Sequence, residues 1–208
     1  MDNQYNEVFP SFNPLNPEFA TGERIIDFFS SHFSFHSFNK HNNNSLVFWS
    51  CQLDSLALSF LENHTHAFII INISIKNNVA TSIAHVHICD KPVVKTLHHA
   101  VNISSTKAKL FTIRCGINQA INFISIHKII VVTDSIHTVK KIFESSLHLF
   151  QIHSVVILQE LCKFFLTHQE NSIKFWECPS HYNWLLYKVV DNESKSFNPV
   201  SLFLYKSS

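Results

Sequence analysis

The chain has 208 residues, 46% of them hydrophobic, which is enough for one domain of ordinary size with an appendage and excludes wholesale disorder. With its 15 histidines neutral the formal net charge is +1, so strong nucleic-acid binding through a global basic field is excluded and any such binding must rest on a local patch. Cys51, Cys89, Cys115, Cys162 and Cys178 are scattered and never form a CxxC pair, which predicts reduced, mostly buried thiols and an intracellular setting, cytoplasmic or nuclear.

The opening "MDNQYNEVFPSFNPLNPEF" has neither a basic start nor an apolar core, so no signal peptide is expected. Residues 1–63 carry Pro10, Pro14 and Pro17 and then a mixed aromatic and Asn-rich stretch without a clean period, which reads as a linker or partial subdomain. The pattern sharpens at "AFIIINISI", a buried strand interrupted by Asn72, an amide that must find hydrogen-bond partners. In "VATSIAHVHIC", Ala80, Ser82, Ala84, Val86 and Ile88 alternate onto one strand face. With "VVKTLHHAVNI" as a third strand, the short polar connections predict an antiparallel meander.

The period then changes. Leu110, Ile113, Ile117 and Ile121 recur at helical spacing, with Ser105 or Thr106 expected as the N-cap. "KIIVVTD" suits a central strand, and Ser135 can cap the helix "IHTVKKIFES". "QIHSVVILQELCKFFLTH" reads as a further helix, "SIKFWEC" as a strand closed by Pro179, and "HYNWLLYKVVDNESK" as a last helix. The order β-β-β-α-β-α-α-β-α predicts an α/β fold with a mixed five-stranded sheet, three antiparallel strands then parallel additions, flanked by helices. "AFIII" and "KIIVV" are too short to span a bilayer, so no membrane association is expected.

Glycine occurs only 2 times, against the roughly 15 that an average of about 7% would give, while phenylalanine occurs 20 times. We read this bias as the trace of G-to-A and C-to-T transitions in the DNA, which convert glycine codons to Ser, Asn, Asp, Glu, Lys or Arg codons. The same changes turn Asp into Asn, Glu into Lys, and arginine codons into histidine codons. His64 and His66, His85 and His87, and His98 and His99 invite a zinc reading, but no Cys/His spacing supplies four converging ligands, and no structural zinc site is expected.

Asp134 stands at the carboxyl end of "IIVVTDS", the edge where ligand chemistry collects in open α/β sheets. Together with the element order, "SSTKAKLFTIRCGINQA", "IIVVTDSIHTVKKIF" and "FWECPSHYNWLLYKVVD" resemble the ribonuclease H-like fold. The closer likeness is to the ribonuclease H domain at the end of fungal retroelement reverse transcriptases, over roughly residues 66–196. The resemblance implies a linker or polymerase remnant at 1–63, a ribonuclease H-like domain at 64–196, a tail at 197–208, and origin in a longer polyprotein.

That family cleaves the RNA strand of RNA–DNA hybrids with four carboxylates around two magnesium ions. Two hard cations a few ångström apart repel each other, so several oxygen anions must hold them while they activate water and stabilise the leaving oxygen. Carried over, the first carboxylate, in a pattern like "TDxS", falls on Asn72 in "INIS", and the second, in "TEAEL", falls on Lys109 in "TKAKL". The third is retained as Asp134, and Asp191 in "KVVDNES" is the candidate for the fourth, so these two are the implied metal ligands. The histidine that assists product departure corresponds to His181, or to Ser180 when the loop is aligned on the tryptophan before it.

Two of the four ligands are thus replaced, each by a single G-to-A transition, and a site charge of −4 becomes −1. At about 4 Å and an effective dielectric near 20, each opposing unit charge is worth roughly 4 kcal/mol, so magnesium is expected to bind poorly and hybrid cleavage to be lost or strongly impaired. Lys109 is expected to enter the vacated pocket and pair with Asp134 or Asp191. Two functional alternatives stand beside this, and a third is that the protein does nothing selected at all. One is a residually active endonuclease using Asp134, Asp191 and one metal, with Glu62 or Asp90 nearby. The other is a non-catalytic nucleic-acid-binding or structural module, for which Lys95, Lys107 and Lys109 as the only evident basic group near the site predict weak hybrid binding.

Overall fold

β-branched and aromatic runs supply the strands, and a computed structural model describes residues 29–37, 46–89, 91–144, 152–179 and 184–196. After a short 3-10 turn (Ser30–His32) come β1 (Phe33–His36), α1 (Leu46–Leu61), β2 (His66–Lys76), β3 (Val79–Ile88), β4 (Lys91–Val101) and α2 (Ser105–Ile121). They are followed by β5 (Lys128–Thr133), α3 (Ile136–Glu144), α4 (Ile152–Thr167), β6 (Ser172–Glu177) and α5 (Leu185–Ser196). The elements expected from residue 66 onward all form, in the expected order.

Among the described residues the sheet has six strands in the order β1-β6-β5-β2-β3-β4, not five. The meander β2-β3-β4 is antiparallel, and β5, β6 and β1 continue it in parallel. The extra strand is β1, which pairs with β6 from Phe33 opposite Ile173 to His36 opposite Trp176. α1 packs Leu53, Ala57 and Phe60 into the core, and Trp184 in the run-up to α5 donates its indole N–H to Asp54 at 2.7 Å. Both elements lie in the segment set apart as linker or remnant, so the folded unit begins before residue 64.

Strand alternation sorts the core into two layers. Ala67, Ile69 and Ile71 of β2, with Ala84, Val86, Ile129, Val131, Ile173 and Phe175, face α2, α3 and α4. Phe68 and Ile70, with Ile83, Ile130, Val132 and Trp176, face α1 and α5. The expected alternation of β3 therefore holds, with Ala84 and Val86 turned toward α2. On α2, Leu110, Ile113 and Ile117 are buried, and Gly116 permits a close approach to β2, since a Cβ there would lie 2.7 Å from Cγ2 of Ile69.

The hairpin turn between β2 and β3 needs left-handed residues, and Asn77 (φ 49°) and Asn78 (φ 60°) supply them without glycine. The N-cap of α2 is Ser104, one residue before those expected, its side chain accepting the Lys107 N–H at 3.3 Å. The five thiols are unpaired, but only Cys162 and Cys178 are buried while Cys51 is exposed, so the expectation of mostly buried thiols is corrected. Burial pushes both buried thiols up to about 12. No helix among the described residues is long and apolar enough to cross a membrane.

Candidate functional site

β2 and β5 run parallel in a constant register, from His66 opposite Lys128 to Ile70 opposite Val132. Continued by two residues, that register sets Asn72 level with Asp134, just past the carboxyl end of β5. Alternation turns Asn72 toward α5, on the same face as Phe68 and Ile70. α5 presents Tyr187, Asp191 and Ser194 to it, three residues at the spacing of one helical stripe. From the opposite layer, Lys109 rises from the first turns of α2 beside the buried Ala108 and Leu110.

The four positions 72, 109, 134 and 191 fall into two polar groupings. Asn72 donates from Nδ2 to Oδ1 of Asp191 at 2.8 Å and to Oγ of Ser194 at 3.1 Å, and its Oδ1 accepts from the Tyr187 hydroxyl at 3.0 Å. This answers what a buried amide does in an apolar strand: every partner it needs is on α5. The orientation is set chemically, because an ionised carboxylate only accepts, so the NH₂ end must face Asp191. The Lys109 ammonium lies 3.0 Å from Oδ1 of Asp134, with the two side chains 17% and 19% exposed. Burial, followed by the charges of Asp134, Cys178 and Asp191, pushes the Tyr187 hydroxyl far up, so it is a neutral donor at any working pH.

Each carboxylate already has donors from its own chain. Asp134 holds Lys109, while Asp191 holds Asn72 on Oδ1 and Lys195, one helical turn on, on Oδ2. Among the described residues no three His, Cys, Asp or Glu side chains form a group that could hold a metal ion. The residues present do not fit a pair of magnesium ions: an ammonium holds Oδ1 of Asp134, and an amide and a second ammonium hold the two oxygens of Asp191.

The other anticipated residues fall as follows. His181 and Ser180 lie outside the described residues, as does Asp90. Glu62 precedes the amino end of β2, while Asp134 follows the carboxyl end of the parallel β5, so Glu62 belongs to the opposite end of the sheet. Lys95 is paired with Glu193 at 3.1 Å, and Glu193 also meets Nε2 of His85 at 2.7 Å. Burial pushes Glu193 up, but its bonds to His85 and Lys95 outweigh that and leave it below the usual carboxylate range. Burial lowers His85 despite Glu193, and lowers its neighbour His87 to about 4.

Tyr187, Ser194 and Lys195 were not anticipated as site residues. The spacing 187, 191, 194, 195 on a predicted helix was the available signal, since residues three and four apart share a face. Compared with models of known protein families and with curated proteins, the sequence matches none.

Proposed function

We propose that this chain is a ribonuclease H-like domain of retroelement origin that no longer cleaves RNA–DNA hybrids. The antiparallel β2-β3-β4 meander extended by parallel β5 and β6 supports that reading of the fold. The observation that carries the loss of activity is the Lys109–Asp134 ion pair at 3.0 Å, set beside an amide at position 72 that donates to Asp191 at 2.8 Å. In-line phosphodiester hydrolysis by two metals needs anions that grip divalent ions. Here three of the four oxygens of Asp134 and Asp191 already hold donors of the protein's own chain, two of them ammonium groups, so a pair of magnesium ions meets too little free anionic oxygen. Hybrid binding is weak on the same reading, because Lys95 and Lys109 are each engaged by a carboxylate of the chain.

Cleavage of a hybrid carrying a labelled RNA strand, with magnesium, tests the proposal. The unaltered chain is expected to match the background of an Asp134→Asn variant, while the double variant Asn72→Asp with Lys109→Glu gains magnesium-dependent cleavage. Magnesium-dependent turnover by the unaltered chain that Asp134→Asn abolishes refutes the loss of activity. A folded double variant that stays silent refutes the assignment of positions 72 and 109.

A further inference from the structure

Among the described residues β4 is the outermost strand on its side of the sheet, paired on one edge only with β3. An outermost strand carries a row of backbone donors and acceptors able to pair with another strand. β4 is eleven residues long, against four for β1 at the other edge. Chains commonly blunt such an edge with proline, a bulge or charge. In β4 the proline and the bulge are confined to its start, at Pro92 and the register shift opposite Val86 and His87. From Val94 to Val101 the pairing with β3 is regular.

The exposed apolar residues of β4 have a particular arrangement. Val93 is 46% exposed, Leu97 54% and Val101 59%. Leu97 and Val101, four apart within the regular stretch, share one face of the strand, and Val93, the residue the bulge leaves out of register, completes a spacing symmetric about Leu97. We infer that two copies of this chain associate through β4, antiparallel about a two-fold axis at Leu97. That axis sets Leu97 against Leu97 and, twice, Val93 against Val101. It sets Val94 against Ala100, Thr96 against His98, and Lys95 against His99. No two lysines face each other, and the Lys95 charge is already matched within its own chain by Glu193 at 3.1 Å.

The match is specific to this axis. Centred on Thr96, the pairing puts Lys95 on Leu97 and Val93 on His99; centred on His98, it puts Lys95 on Val101. Like charges directly opposite in a sheet repel and apolar cross-strand pairs attract, so the Leu97 axis is the favoured one. The product is one continuous sheet running through both copies, with the exposed apolar strips of the two β4 strands merged on the face that carries α5. This inference is independent of the loss of cleavage activity.

Sedimentation of the full chain, from micromolar to sub-millimolar concentration, is expected to show a monomer–dimer equilibrium. Leu97→Lys places two ammonium groups on the axis and should raise the dimer dissociation constant by about tenfold or more, with an unchanged thermal melt at concentrations where the chain is monomeric, because Leu97 is solvent-facing in the monomer. Leu97→Cys, with the exposed Cys51 replaced by serine, should form an intermolecular disulfide under oxidised glutathione. The Cα atoms of a directly opposed antiparallel pair lie about 4.5–5.5 Å apart, within disulfide reach. Ile124→Cys, almost fully exposed and outside β4, is the control for random collision. A monomer at every concentration, association untouched by Leu97→Lys, or equal cross-linking of the two cysteine variants each overturns the proposal.

Discussion

Replacing Asn72 by Asp is the sharpest perturbation of the site, because it changes one NH₂ to an oxygen and almost nothing in volume. The new carboxylate would stand about where Nδ2 now lies, 2.8 Å from Oδ1 of Asp191, and Asn72 is 5% exposed. Two unit charges at that separation repel by about 6 kcal/mol at an effective dielectric near 20. The pair can instead share one proton, and holding a proton at pH 7 on a group of ordinary pKa near 4 costs about 4 kcal/mol. Lys195, on the far oxygen of Asp191, offsets part of either cost. A loss of about 3 kcal/mol at pH 7.5 follows, or about 1.5 M in the urea midpoint for a slope near 2 kcal/mol/M. The sign with pH is fixed. The folded pair keeps a proton at pH values where the unfolded aspartates have lost theirs, so the deficit against the unaltered chain shrinks as pH falls toward 4.5. Urea unfolding followed by the fluorescence of buried Trp176 and Trp184 measures it. Equal stability of the two proteins at pH 7.5, with no pH-dependent gap, would show that position 72 does not face Asp191.

Two further predictions concern the frame around the site. His87 is held to about 4, chiefly by burial and then by His85 and Lys95. Its contribution to stability is therefore fully present above the unfolded value of 6.5 and is lost as pH falls toward 4, at up to about 1.4 kcal/mol per pH unit. His36, His66, His85, His99 and His153 are lowered as well and act in the same direction, so the protein should unfold in mild acid, and His87→Phe should remove about one proton from the slope of stability against pH. An unchanged slope would contradict this. Gly116→Ala should destabilise by about 1–3 kcal/mol in a thermal or urea melt, despite the better helix propensity of alanine, because the added methyl meets Cγ2 of Ile69 at 2.7 Å. A stabilised variant would mean that α2 sits farther from β2.

The parts of the fold that were legible are those whose burial is written into the local pattern. β2, β3 and β5 are runs of β-branched residues bounded by turn residues, and α2 announces itself through Leu110, Ile113 and Ile117. β1 was not legible, since four residues, "FSFH", carry no period, and their strand character comes from pairing with β6, 140 positions away. α1 was missed for a different reason. Its buried stripe of Leu53, Ala57 and Phe60 is obscured because exposed Phe48 and Leu58 interrupt the polar face of Asp54, Ser55 and Ser59. Asn72 stood out because one amide in an apolar strand demands partners, but its partners Tyr187 and Ser194 became visible only once α5 was laid across β2. Lys95 likewise reads as a free cation until Glu193 is brought beside it.

The two lysines at the site differ in how firmly they hold it. Lys195 is 63% exposed on a flexible stem, and an exposed pair of this kind is worth at most about 1 kcal/mol, so it can swing into solvent at little cost. Lys109 is 17% exposed, rooted on a helix whose neighbouring Ala108 and Leu110 are buried, and its partner Asp134 is 19% exposed. Removing that ammonium from Asp134 while both groups stay in place forfeits a largely desolvated interaction, and a divalent ion approaching Asp134 meets the positive charge first. On the proposed reading, Lys109, more than Asn72 or Lys195, is therefore the residue that keeps cations from Asp134. Asn72→Asp alone should leave magnesium without effect on the melting of the protein, whereas Lys109→Glu alone should already make that melting responsive to magnesium. The reverse ranking would place the barrier at position 72.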